Sequence, residues 1–265
     1  MTDQEKTVPP RERIEEAAER CRAVLDAMNQ IILGKADLVR LTFATLLSGG
    51  HGLLEGLPGL GKTVLARSFS GALGLKFRRV QFTPDLLPSD ITGSYVLEDR
   101  EGPREMRFYP GPVFTNLLLA DEINRASPKT QSALLEAMSE GQVTQLGETR
   151  RLDPPFSVLA TQNPIEMEGT YPLPEAQMDR FAVKLNVGGT ESKVLKRIIT
   201  ERRAGRPKEP SQVVDADGLL ALQEMVHRIF LPDAISDHIS ASVSLTHPEA
   251  RDAPETLGDG VKYGS

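Results

Sequence analysis

Apolar residues along this chain change their spacing in a way that separates helices from strands. From Arg11 onward, Ile14, Ala17, Ala18, Cys21, Val24, Leu25 and Met28 recur three or four residues apart, which predicts a helix with one apolar stripe. Cys21 lies on that stripe and reads as a small core residue rather than a reactive thiol. A second apolar helix is expected over about 37–47, stopped by Ser48-Gly49-Gly50. Short apolar runs then alternate with helical stretches. Strands are expected at Gly52–Glu55, 77–82, Leu117–Asp121, 156–161 and 181–187, with helices over 62–73 and from Ser127-Pro128 to Glu140-Gly141. The run Leu117–Asp121 lacks polar alternation, as a strand covered on both faces should. Strands separated by helices imply βαβ units: an α/β fold with a mostly parallel sheet and helices on both faces.

Two regions depart from this rhythm. The stretch 83–112 is rich in Pro, Gly and Asp. Within it Tyr95-Val96-Leu97 and Met106-Arg107-Phe108 flank Asp99-Arg100-Glu101-Gly102, which predicts a hairpin. Inserts of this length in compact domains usually carry function. Beyond 187 a helix is expected over 191–203, a charged Gly/Pro linker over 204–210, two short helices over 215–230 and 233–244, and an irregular tail. Residues 1–10 read as a flexible polar tail.

Composition narrows the classes. The 265 residues carry 37 acidic and 31 basic side chains, a formal net charge of −6, which supplies no global attraction to nucleic acid or anionic membrane. A single cysteine allows neither an internal disulfide nor a cysteine-based zinc site, and fits a reducing compartment. With no secretory signal pattern and no apolar run near the ~20 residues of a membrane helix, the expectation is a cytoplasmic protein with no membrane partner.

The candidate chemistry is concentrated between strands and helices. Gly56-Leu57-Pro58-Gly59-Leu60-Gly61-Lys62-Thr63, followed by Val64, matches the phosphate-binding P-loop in full, with a strand before it and a helix after it. The glycines let backbone N–H groups wrap an anion, and the helix beginning near Lys62 aims its positive end at it. By chance the pattern arises in about one chain in a hundred of this size. Lys62 would neutralise the β/γ-phosphate oxygens and the Thr63 hydroxyl would coordinate Mg²⁺. Leu117–Asp121 then delivers Asp121 as a metal-holding acid and Glu122 to orient and polarise the attacking water, a pair that favours hydrolysis over phosphoryl transfer to a hydroxyl. Asn163, after the strand at 156–161, is placed to sense the γ-phosphate, although an Asn-Pro turn alone would explain it. Arg180, in Met178-Asp179-Arg180-Phe181, reads equally as an arginine finger for a neighbouring subunit or as a surface partner of Asp179 or Glu175.

Taken together these residues resemble a MoxR-type AAA+ ATPase over about 31–187. The resemblance rests on the P-loop, on Gln81-Phe82-Thr83-Pro84-Asp85-Leu86-Leu87-Pro88-Ser89-Asp90, and on ADEINRA at 120–126, KTQSALLEAM at 129–138 and ATQNPIEMEGTYPLPEAQMDRF at 160–181. It implies a P-loop NTPase AAA+ core over 11–204, with a five-stranded sheet ordered 5-1-4-3-2, followed by an incomplete all-α lid over 205–265. It implies ATP and Mg²⁺ as ligands and a homo-oligomeric ring, a hexamer by family habit. Asn163 then matches sensor 1, Arg180 matches the arginine finger, Ile32-Leu33-Gly34 would line the adenine pocket, and 83–112 would hold the helix-2 insert. Family members act as chaperone-like factors on client proteins, often metalloenzymes, and often together with von Willebrand factor A domain proteins. The ending Val261-Lys262-Tyr263-Gly264-Ser265 looks like the start of the family's sensor-2 stretch without its Pro-Arg, so a truncated lid is expected.

Two other functions fit parts of the pattern. A short lid would suit a nucleotide-binding interaction module with little turnover. A nucleic-acid motor would use the insert hairpin, but there Arg100, Arg104 and Arg107 face Glu98, Asp99, Glu101 and Glu105, and the signs nearly cancel.

Overall fold

The computed structural model describes residues 9–98, 104–165, 169–202 and 209–245. The expected hairpin turn at 99–102, most of the linker at 204–210, nearly all of the N-terminal tail and the ending at 261–265 lie outside them. Two compact units are present: Arg11–His227, and a second made of residues 1–10 with Arg228 onward.

The larger unit opens with helices α1 (Arg11–Asn29) and α2 (Ala36–Leu47), then strand β1 (Gly52–Glu55) and helix α3 (Lys62–Ala72). Strand β2 (Phe77–Gln81), helix α4 (Pro88–Thr92) and the strands β3 (Gly93–Glu98) and β4 (Glu105–Pro110) follow. Next come β5 (Leu117–Asp121), a 3-10 turn (Ile123–Arg125), α5 (Pro128–Glu140), and the strands β6 (Gln142–Gln145), β7 (Glu148–Arg151) and β8 (Ser157–Gln162). A short helix α6 (Glu175–Met178), strand β9 (Val183–Asn186) and helices α7 (Ser192–Arg202) and α8 (Ala216–His227) complete it; α9 (Asp233–Leu245) belongs to the second unit.

The central sheet runs β2-β5-β8-β1-β9, with every pairing parallel. Counted along the chain as strands one to five, that order is 5-1-4-3-2, as the family resemblance implies. Alternation within each strand explains why both faces are covered. Leu54, Leu117, Leu119 and Leu159 enter one core with Val24 and Met28 of α1, Phe43 and Leu46 of α2, and Leu65 and Phe69 of α3. Their neighbours Leu53, Leu118, Ala120, Val158 and Ala160 enter the other, with Ile91 of α4 and Leu134, Leu135 and Met138 of α5. Burying each such leucine is worth about 1.5–3 kcal/mol, so losing either helical layer is not affordable to the sheet. Leu219 and Leu222 place α8 on the first core. Cys21 packs at its margin, half-buried, where burial raises its thiol pKa, in keeping with a structural role.

The 83–112 stretch does contain the antiparallel hairpin, paired from Gly93 with Pro110 to Glu98 with Glu105. The sequence pattern predicts no strand between 141 and 156, yet β6 and β7 form a second hairpin there. Both are polar and short, and the turn is made by Leu146 and Gly147, both at positive φ (50° and 81°). The hairpins are joined by Tyr95 Oη donating to Glu148 (2.7 Å) and by the Arg150 guanidinium 4.3 Å from the Phe108 ring centroid. No helix among the described residues is long and apolar enough to cross a membrane.

His51 ties three elements together at the start of β1. Its Nδ1 accepts from the Val158 N–H (3.0 Å), so Nε2 carries the ring proton and donates to the Met138 carbonyl (3.1 Å). Burial pushes its pKa below the ordinary 6.5 and holds the ring neutral. Below that value the unfolded chain binds a proton that the fold excludes, so stability should be full above pH 6.5 and fall as the pH drops through it. The denaturation midpoint of the native protein should therefore drop more between about pH 8 and about pH 5.5 than that of His51→Gln. Equal drops would remove His51 from this account.

Candidate active site

The glycine-rich loop of residues 56–61 joins β1 to α3, and its conformation follows from its glycines. Gly59 (φ 82°) and Gly61 (φ 90°) occupy the left-handed region, and Gly61 caps α3. At Gly56 the constraint is space: a Cβ there would sit 2.6 Å from the Val187 carbonyl oxygen. Leu57 and Pro58 lie on the exposed rim of the loop, Leu60 packs against the core, and Thr63 and Val64 fall on the first turn of α3.

Lys62 is buried and folds back over the loop, its Nζ donating to the Gly56 carbonyl (2.5 Å) and to the Gln162 carbonyl (3.4 Å). Burial lowers its pKa, and Asp121 and Glu122 oppose that shift by favouring the charged ammonium. The ammonium rests on two neutral carbonyls, partners that an anion can displace.

Asp121 ends β5, and Glu122 turns the chain away in the left-handed region (φ 56°, ψ 51°), an uncommon conformation for a non-glycine residue. The bend is held by the Glu122 N–H donating to Thr161 Oγ1 (2.8 Å), while the Thr161 hydroxyl donates to Asp121 Oδ1 (2.6 Å). Thr161, fully buried on β8, thereby orients both acids at once. The carboxylate of Glu122 accepts from Gln81 Nε2 (2.8 Å) and Arg125 Nη1 (3.1 Å), both at Oε2. Asp121 Oδ2 accepts from Arg79 through Nη2 (2.6 Å) and Nε (3.0 Å).

Asn163 follows β8 directly and is buried; its Oδ1 accepts from the Ile165 N–H (3.3 Å), closing the Asn-Pro turn. One residue earlier, the Gln162 carbonyl receives the Gly56 N–H (3.1 Å), which ties this strand end to the phosphate loop. Arg180 lies at the surface between α6 and β9, its guanidinium hydrogen-bonded to Ser139 Oγ at the end of α5. Its backbone is fixed by buried Phe181 and by the Ala182 N–H donating to the His51 carbonyl (2.9 Å).

A cavity of about 490 Å³ opens beside the loop, lined by Gly34, Lys35, Asp37, Asn186, Gly188 and Gly189 among others. Gly34 forms its wall at φ 73°, in close contact with Val194 of α7, whereas Ile32 packs into the adjoining core. Lys35 Nζ bridges the Leu60 carbonyl (3.2 Å) and the Gly188 carbonyl (3.0 Å), with its pKa lowered by burial.

Lys62, Asp121 and Glu122 stand out in the sequence, whereas Arg79, Gln81, Arg125, Thr161 and Lys35 join this site only through the fold. A hydroxyl at the end of the buried stretch of β8, as Thr161 is, is the signal that could have found one of them.

Comparison with known proteins agrees with the geometry. The profile of the ATPase family associated with various cellular activities (AAA) matches residues 51–183. Protein YeaC of Bacillus subtilis is 45% identical over 230 residues, covering 86% of this chain and 71% of its own length. Chaperone MoxR1 of Mycobacterium tuberculosis is 45% identical over 237 residues, covering 89% of this chain and 60% of its own, so the chain spans less than two thirds of that relative. The crystal structure of a Cytophaga hutchinsonii protein assigned as an ATPase superposes with a TM-score of 0.84 at 36% identity, covering 96% of this chain and 78% of that one.

Proposed function

Because this chain belongs to the MoxR-type AAA+ ATPases, a family named for ATP hydrolysis, we propose that it hydrolyses ATP with Mg²⁺ and uses the cycle to remodel or mature a partner protein. The observation that carries this reading is the convergence at the end of the sheet: a buried Lys62 at the mouth of a glycine loop, within the field of Asp121 and Glu122.

The residues suit the ligands. The left-handed glycines at 59 and 61 allow loop N–H groups to face one anion, and Gly56 leaves no room for a side chain. The Thr63 hydroxyl and the Asp121 carboxylate are the hard oxygen donors that Mg²⁺ takes. Bound there, Mg²⁺ would supply neutralisation of phosphate charge. Lys62 holds the β/γ-phosphates, Glu122 accepts a proton from the attacking water, and Asn163 orients that water or the γ-phosphate. Gly34 and the cavity beside it take the adenine, with Ile32 behind. Arg180 reaches from the surface to a neighbouring subunit's nucleotide, which makes a ring, in family terms a hexamer, part of the same proposal. So are the lid over 205–265, a client protein, a von Willebrand factor A domain partner and a cytoplasmic setting.

Lys62→Ala tests the core of the reading. It should abolish measurable binding of a fluorescent ATP analogue and Mg²⁺-dependent phosphate release, since the loop loses the ammonium that would neutralise the phosphates. Unchanged affinity in that variant would overturn the proposal. A second reading, a nucleotide-binding module with slow turnover, is favoured by one observation: Glu122 is already engaged by Gln81 and Arg125. Tight ATP binding without turnover by the native protein would select it.

A further inference from the structure

Arg79 is a side chain at this site that no role above requires. It stands on the edge strand β2, where the register sets Arg79 beside Leu119 and Gln81 beside Asp121. With a two-residue repeat, Arg79, Gln81 and Asp121 share one face of the sheet, the face that carries α3. Its guanidinium makes two hydrogen bonds to one oxygen of Asp121 (2.6 and 3.0 Å) and a third to Gln81 Oε1 (2.5 Å). The third bond fixes which end of the Gln81 amide points where. With Oε1 taken by Arg79, Nε2 is turned to Glu122, and it donates there at 2.8 Å.

We infer that Arg79 is a positioning residue: a cationic latch that occupies the metal-holding carboxylate of Asp121 and, through Gln81, keeps Glu122 tethered until a divalent cation takes Asp121. Asp121 Oδ2 accepts twice from Arg79 and is filled, while Oδ1 accepts once from Thr161, so a metal-bound water reaches Oδ2 only by displacing Arg79, and a cation at either oxygen meets the guanidinium charge beside it. Thr161 is buried and also holds the Glu122 backbone, whereas Arg79 is about half exposed (45%) on a flexible stem. Arg79 is therefore the partner that leaves. Once it does, Gln81 loses the contact that orients its amide, and the tether on Glu122 loosens. Metal occupancy and release of the water-activating carboxylate become one event.

The inference rests on the proposed Mg²⁺ site, and its test separates the two. Mn²⁺ binding is followed by electron paramagnetic resonance, with a non-hydrolysable ATP analogue at saturation, in the native protein, Arg79→Met and Arg79→Lys. Removing a competing unit charge at this range should tighten Mn²⁺ binding about three- to tenfold in Arg79→Met. Arg79→Lys keeps the charge but not the two-point contact and should fall between, so it carries the test alone if the methionine variant does not fold. Equal Mn²⁺ affinity in the native protein and whichever variants fold overturns the latch while leaving the site intact. Absence of Mn²⁺ binding in the native protein overturns both the site and the latch that depends on it.

Discussion

Replacing Glu122 by Gln should reduce phosphate release by about a hundredfold or more while nucleotide binding is retained, because a positioned general base contributes about 10²–10⁴ to such a step. The substitution is nearly isosteric. An amide oxygen can still accept from Gln81 or Arg125, and the bend at residue 122 is held by its own backbone N–H to Thr161, which no side-chain change removes. What the amide cannot do is take a proton from water. Binding should persist because the phosphate contacts belong to the glycine loop and Lys62, and the loss of one negative charge near Lys62 leaves its ammonium in place. Rates from phosphate release, set beside equilibrium binding of a fluorescent analogue, decide the matter. Full turnover in Glu122→Gln would end this assignment.

Arg180→Ala should lower turnover further still, by about 10³–10⁵ if the guanidinium acts as a finger on a neighbouring site, again with binding nearly unchanged. The structural basis is the contrast between a fixed backbone and a surface side chain. Phe181 is buried and Ala182 is bonded to His51, while the Arg180 head rests on Ser139 at the surface. A finger acting across an interface has a signature that a structural arginine lacks. Mixed with Glu122→Gln, the Arg180→Ala protein should recover part of its activity, since its intact Glu122 can receive an arginine from the other subunit. Turnover per molecule should also rise with protein concentration. If dilute monomer hydrolyses ATP as fast as concentrated protein, the finger role is wrong.

Much of the candidate site was legible from residue order because its parts are local. The phosphate loop needs glycines, a lysine and a hydroxyl at fixed offsets, since one turn of backbone must close around one anion, and that requirement is written within eight residues. Likewise, the apolar run ending at Asp121-Glu122 predicts both a buried strand and two acids at its end. The hairpin β6–β7 escaped for the opposite reason: its strands are polar and short, and they depend on a turn at Leu146-Gly147 and on contacts with the insert hairpin.

By itself, then, the sequence determined the α/β class, the order of the core strands and helices, the phosphate loop and the two acids. Each of these follows from periodicity or from spacing over a few residues. Only the tertiary structure decided how the acids are held. Arg79 and Gln81 meet Asp121 and Glu122 because β2 pairs with β5 in parallel register, and Thr161 meets both acids because β8 lies on the other side of β5. Parallel strands are brought together by crossovers of roughly forty residues here, and no local pattern records which side chain will stand opposite which. The physical reason is that register is set by the packing of two cores against the sheet, a property of the whole unit rather than of any segment.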